Sequence, residues 1–193
     1  MNNKENICSR NTAYEIIYNF LTSKCQLKSI TLNHLSKNHV KNEHKPFIKE
    51  LSTGSIRYYH LLKFHIYKHT NTGKKIDYKT LSILLMGTYQ IKYMQNVPNY
   101  AAISTSVDIA KEKLRGKDKF INAILRKFSS DTTILKAPKN IELSFPQWLY
   151  DMFLNEYGEN ITVKLLNELN KKPRNWVRIN KNHTKVINAL SEN

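Results

Sequence analysis

Leu84–Phe128, LLMGTYQIKYMQNVPNYAAISTSVDIAKEKLRGKDKFINAILRKF, is the stretch whose reading decides the fold. Pro98 has no amide proton and biases Val97 away from helical angles, so a helix entering from Leu81 is predicted to stop there. Asn99 is then placed to cap the next helix by accepting a bond from an unpaired backbone amide. Ala101 and Ala102 let that helix approach its neighbours closely. Gly116 marks a second break, after which Phe120, Ile121, Ile124, Leu125 and Phe128 recur at i, i+1, i+4, i+5, i+8, the apolar stripe of a third helix.

The flanking sequence extends the helical pattern. Ala13, Ile16, Ile17, Phe20 and Leu21 predict a buried stripe on a first helix starting after Ser9, with Arg10, Tyr14 and Tyr18 along its border. A short helix is predicted near Leu27–Leu35. Pro46 suits the first turn of a long helix running through Phe47, Leu51, Gly54, Tyr58, Leu61, Leu62 and His65, ended by Asn71-Thr72-Gly73. Gly54 in its middle implies a close helix crossing that offsets the lost propensity. Asp77 is predicted to cap the helix carrying Leu81, Leu84, Leu85 and Tyr89.

Ser130–Lys139 reads as a connector. Beyond it Ser144 is predicted to cap a helix with Trp148, Leu149, Met152 and Phe153, followed by a helix over Ile161–Leu169. Trp176-Val177-Arg178-Ile179 reads as a short strand and Thr184–Leu190 as a further helix. A single strand cannot bury itself, so this last unit reads as still opening at Asn193. Trp148 and Trp176 are expected to anchor the core of the extension.

Composition narrows the function classes. Among 193 residues, 31 are Lys or Arg and 15 are Asp or Glu, a formal net charge of +16; the pI is near 9.8 and the mean hydropathy −0.54. Such a charge attracts polyanions, nucleic acid above all, although a Lys-, Asn- and Ile-rich chain also carries lysines on ordinary solvated faces. No apolar run is long enough to span a bilayer and no signal peptide is seen, so a cytoplasmic protein is expected. Cys8 and Cys25 do not form a metal-type pair and read as reduced cytosolic thiols.

Catalytic apparatus is not evident. The five glycines are too scattered for a phosphate- or cofactor-cradling loop. His65 and His69, at i, i+4, share a helix face, but no carboxylate or cysteine completes a metal site at ligand spacing. The nucleic-acid candidates are stronger. Lys119, Asn122 and Arg126 face away from the Phe120/Ile124/Phe128 stripe, and Lys111, Lys113, Arg115 and Lys117 surround Gly116 just before it. A basic loop feeding a helix start contacts several phosphates at once. Arg10 with Tyr14 and Tyr18 pairs a guanidinium with aromatic rings, the combination that stacks unpaired bases, unless both tyrosines merely border the core with their hydroxyls in water.

The same residues carry a resemblance. Gly87-x-Tyr89-Gln90-x-x-Tyr93, Pro98-x-x-Ala101-Ala102 and Phe120-Ile121-Asn122-Ala123-Ile124-Leu125-Arg126 resemble the NusB-type RNA-binding fold. The similarity is to the version at the N-terminus of RsmB/Sun-type rRNA cytosine-C5 methyltransferases. Glu50-Leu51-x-x-Gly54-x-x-Arg57 is similar to a helix of that family. Phe145-Pro146-x-Trp148-Leu149 and Asn170-x-x-Pro173-x-x-Trp176-x-Arg178-x-Asn180 resemble the segment leading toward its catalytic part. The chain departs from the pattern at Thr105, where the family commonly has glutamate, and at Lys119, where it favours glycine.

The resemblance implies an all-α, NusB-like fold of two small packed helical bundles, followed by a helical extension and the start of a small α/β unit. The implied division is residues 1–132 for the RNA-binding domain and 133–193 for the linker and pre-catalytic region. The implied function is to position small-subunit rRNA. The implied RNA-binding residues are Arg10, Tyr14, Tyr18, Lys113, Arg115, Lys117, Lys119, Asn122 and Arg126. The family's base-attacking cysteines lie in Pro-Cys and Thr-Cys-Ser motifs that Cys8 and Cys25 do not match. No S-adenosylmethionine site is therefore expected in this chain, the cofactor belonging to a catalytic domain that is missing or separate. The alternative is a stand-alone NusB-like antitermination factor binding leader RNA with a ribosomal protein.

Overall fold

The computed structural model describes residues 3–37, 40–70, 75–131, 136–173 and 178. Within these, nine α-helices follow one another: α1 Asn3–Thr22, α2 Leu27–Lys37, α3 Lys45–Arg57, α4 Tyr59–His69, α5 Tyr78–Tyr93, α6 Asn99–Lys113, α7 Asp118–Ser130, α8 Lys139–Glu142 and α9 Gln147–Asn170. No strand occurs among the described residues. The strand expected at 176–179, the helix expected at 184–190 and the Asn71-Thr72-Gly73 stop lie outside them.

α5 is the axis of the molecule. Every residue from Thr80 to Gln90 is buried, and the helix packs against α1, α3, α4, α6 and α7. A helix buried all round must satisfy its own polar side chains. Ser82 Oγ donates to the Tyr78 carbonyl and Thr88 Oγ1 to the Leu84 carbonyl, each at 2.7 Å. Its start is the predicted one: Asp77 accepts from the Thr80 amide at 2.9 Å. The two bundles share this helix, so one core runs unbroken from Ile16 and Ile17 of α1 through Leu84 and Leu85 to Ile121 and Leu125 of α7.

Two glycines permit the close approaches. A Cβ at Gly54 would lie 2.0 Å from Cζ of Tyr89, so α3 meets α5 through that ring, as the sequence implies. A Cβ at Gly87 would lie 2.8 Å from both Cδ atoms of Leu125, which sets the α5–α7 distance.

Helix ends differ from the sequence reading in several places. α1 begins at Asn3, before the expected Ser9. α5 ends at Tyr93, four residues before Val97, with Met94–Val97 closing a turn through the Val97 amide and Met94 carbonyl. Pro98, not Asn99, is the N-cap of α6. Asn99 instead donates through Nδ2 to Ser129 Oγ at 3.0 Å, tying the start of α6 to the end of α7. The long helix expected from Pro46 to His65 breaks at Tyr58 (φ −96°, ψ 22°), whose ring stacks on Tyr93 at 4.4 Å.

Ser144 explains what that break permits. It does not cap α9, whose N-cap is Pro146. Its Oγ accepts from the His60 and Leu61 amides at 3.1 and 3.4 Å, capping α4 from 84 residues away. Leu143, Tyr150 and Leu166 form a second small core, with Phe145, Phe153, Leu154 and Val163 packed on it. α9 leaves helical geometry at Gly158 (φ 72°, ψ 170°), separating the two arms that the sequence reads as two helices. Trp148 is not a core anchor but 67% exposed. Trp176 lies outside the described residues.

Candidate nucleic-acid interface

α6 and α7 pack as an antiparallel hairpin about Gly116, whose φ of +73° is reached without strain because glycine has no Cβ. Leu114 is buried at the end of α6, which leaves Arg115, Gly116 and Lys117 on the outside. Lys117 occupies the N-cap position of α7, followed by Asp118 in its first turn. On α7, Ile121, Ile124 and Leu125 are buried while Lys119 and Arg126 are exposed and Asn122 is half-buried. The amphipathic reading of this helix is thereby realised at Ile121, Ile124 and Leu125, while Phe120 and Phe128 at the ends of the stripe are half-buried.

A groove of about 1000 Å³ runs between the two helices. Its floor includes Ile103 and Val107, and Lys119, Asn122, Arg126 and Lys127 form the α7 wall. Arg126 Nε donates to Asn122 Oδ1 at 3.1 Å, one turn earlier, so the guanidinium is held along the wall. Lys111 pairs with Asp108 at 3.6 Å on the opposite wall. The structure thus brings Lys119, Asn122 and Arg126 together on one surface, with Arg115 and Lys117 at the turn leading into it.

The remaining sequence candidates fare differently. Lys113 is clamped between Glu15 at 3.5 Å and Glu112 at 3.3 Å, fastening α6 to α1. Burial alone would lower its pKa, but Glu112 and Glu15 outweigh it and hold the ammonium above the ordinary lysine value. Arg10 and Tyr14 are inside the protein, 5% and 3% exposed, and offer no stacking surface. The Arg10 guanidinium lies 5.0 Å from the Phe47 ring centroid, and its Nε donates to Gln90 Oε1 at 2.7 Å. Burial lowers the Arg10 pKa and raises the Tyr14 phenol to about 12. Tyr18 is half-buried, its ring 6.2 Å from that of Tyr14. Border spacing and core spacing differ by one residue on a helix; α3 and α5 cover this border as well as the stripe.

Sequence reasoning passed over Tyr100. It is 76% exposed in the first turn of α6 and lines the groove. The available signal was a lone aromatic beside the two small residues Ala101 and Ala102. His65 and His69 do not assemble a metal site, and no group of three potential ligands occurs among the described residues. His69 and Lys68 both approach Asp131 Oδ2, at 3.3 and 2.8 Å. His65 lies 3.1 Å from Lys92 Nζ. Burial, with Lys92 adding to it, pushes His65 down to about 4. Gly54 and Gly87 are filled by Tyr89 and Leu125 rather than open to a ligand.

A helical domain wound on one buried helix, with a basic hairpin edge, defines the class. The chain belongs to the NusB family, which residues 8–130 match. Residues 145–192 match the Methyltr_RsmF/B-like, ferredoxin-like domain. Among similar proteins, a ribosomal RNA small subunit methyltransferase B from Klebsiella pneumoniae is 30% identical over 93% of this chain and 42% of its own length. A probable ribosomal RNA small subunit methyltransferase B from Synechocystis is 34% identical over 57% of this chain and 27% of its own. The chain therefore spans well under half the length of these relatives. The solved structure of antitermination factors NusB and NusE in complex with dsRNA has the same fold, with a TM-score of 0.61 at 18% identity. That likeness covers 66% of this chain and 98% of the other. No described helix is long and apolar enough to cross a membrane.

Proposed function

We propose that this chain is the RNA-holding part of an rRNA (cytosine-C5) methyltransferase and that it positions small-subunit rRNA. The observation that carries the proposal is the order of the two matches, NusB family and then RsmF/B-like ferredoxin-like domain, in one chain. A protein named ribosomal RNA small subunit methyltransferase B aligns with 93% of that chain. The residues assigned to RNA are Arg115, Lys117, Lys119, Asn122 and Arg126, on the exposed edge of the α6–α7 hairpin. Their contribution is electrostatic capture of phosphates and orientation of the RNA along the helix pair.

In this reading residues 1–132 bind RNA and 133–193 lead toward the catalytic part, the two regions having separate hydrophobic cores. Methyl transfer and S-adenosylmethionine belong to the catalytic domain of the parent protein; a ribosomal protein is a further partner to be considered. The test is binding to a small-subunit rRNA fragment, a leader-type single-stranded RNA and duplex DNA, each across a salt series. Preferential rRNA binding that weakens in the Lys117→Ala, Lys119→Ala, Arg126→Ala triple variant supports the proposal. Preference for the leader RNA turns the assignment toward antitermination, and equal binding erased by moderate salt overturns both.

A further inference from the structure

The α6–α7 groove has a composition that phosphate capture alone does not explain. Phosphate sites are polar and need no apolar floor, yet this groove is floored by Ile103 and Val107 and carries Tyr100 at one end. α6 and α7 run antiparallel, so the first turn of α6 lies beside the last turns of α7, as the Asn99–Ser129 hydrogen bond shows. Tyr100 therefore shares its end of the groove with Arg126 and Lys127. A tyrosine ring left 76% exposed, lining the same groove as a guanidinium held by Asn122, is a flat, sequence-tolerant stacking surface.

We infer that this groove takes one or more unpaired nucleotides, with a base stacked on Tyr100 and its flanking phosphates held by Arg126, Lys127 and, farther along, Lys119 and Lys111. The inference rests on the RNA-binding reading and specifies the form of RNA bound. Charge fits the occupant: four cations against Asp108 and Asp118 leave the groove net positive. Shape fits as well. Base pairs in a duplex hide their faces against their neighbours, whereas an unpaired base offers a face to an aromatic ring. At about 1000 Å³ the groove stands at the upper end of small-ligand sites, roomy enough for a base with its sugar and phosphates. The solved NusB–NusE complex contains dsRNA, so duplex binding is the competing outcome.

The experiment is fluorescence anisotropy with one labelled RNA sequence, single-stranded and as a blunt duplex, across a salt series. The proteins are the full chain and its Tyr100→Ala, Tyr100→Phe and Lys119→Ala/Arg126→Ala variants. The expected result is tighter binding of the single strand and a loss of about tenfold or more in Tyr100→Ala with an unchanged salt slope. Tyr100→Phe keeps the ring and should retain wild-type affinity. The basic double variant should weaken binding and flatten the slope. Wild-type affinity in Tyr100→Ala alongside a weakened basic variant overturns the base-stacking site while leaving the RNA-binding reading intact. Equal or tighter duplex binding also overturns it. Loss of neither, in variants with unchanged melting curves, removes the groove from RNA binding altogether.

Discussion

Ser144 holds the start of α4 from outside the helix: its Oγ accepts the His60 amide at 3.1 Å while its own backbone sits at φ +60°. Tyr58, the N-cap residue in sequence, contributes no side-chain bond. A helix start normally borrows its cap from the preceding residue. Here it is borrowed from the connector after α8, which fastens the extension to the main core.

Two substitutions separate the cap from the backbone conformation. Ser144→Ala removes the acceptor and keeps the left-handed strain, so it should destabilise by about 1–2 kcal/mol. Ser144→Gly also loses the cap but relieves the positive φ, recovering about 1 kcal/mol. Chemical denaturation should rank wild type above Gly above Ala, with faster amide exchange at His60 and Leu61 in both variants. Equal stability of all three would remove Ser144 from the helix start.

Arg10 gives the opposite kind of test, one of stability rather than binding. Its removal leaves Gln90 Oε1 short of a donor in the core and strips a cation from the Phe47 face. Arg10→Ala should cost about 2–4 kcal/mol. Below its melting temperature the variant should bind RNA as wild type does. A selective loss of affinity with unchanged stability would restore Arg10 to the interface.

Gly54→Ala should destabilise even though alanine is the better helix former by about 1 kcal/mol. The added methyl meets the Tyr89 ring, which is pinned by its hydroxyl donating to Glu50 Oε1 at 2.6 Å. Overpacking of this kind costs about 1–3 kcal/mol or more. Tyr89→Leu in the Gly54→Ala background should recover part of the loss relative to the sum of the single variants, measured as a double-mutant cycle.

Acid sensitivity should begin with histidine. His65 is held near 4 in the folded protein against an ordinary 6.5, by burial first and Lys92 second. Between these values the unfolded chain binds the extra proton, so stability is fully present above about pH 6.5 and falls as pH drops toward 4. His34, His60 and His69 are lowered as well, each by burial first, and act in the same direction. Melting temperatures from pH 7 to 5, above the carboxylate range, should fall less steeply for His65→Gln than for wild type. Parallel curves would refute the assignment.

The sequence by itself determined the helices that carry their own signals. Asp77 capped α5, Gly116 broke the hairpin, and the Phe120–Phe128 stripe fixed which face of α7 is buried, because caps, turns and periodicity act within a few residues. Lys119, Asn122 and Arg126 were legible for the same reason: the polar face of a helix follows from its apolar one. Only the tertiary structure decided residues whose environment comes from distant chain. Arg10 and Tyr14 became core because α3 and α5 pack over α1, and Ser144 because α4 presents open amides to it; Lys113 stayed exposed but was drawn into ion pairs because Glu15 of α1 reaches it. Tyr100 and Trp148 stayed exposed because no described element covers them. Burial is a property of what packs against a face, and a single helix records only its own side of that contact.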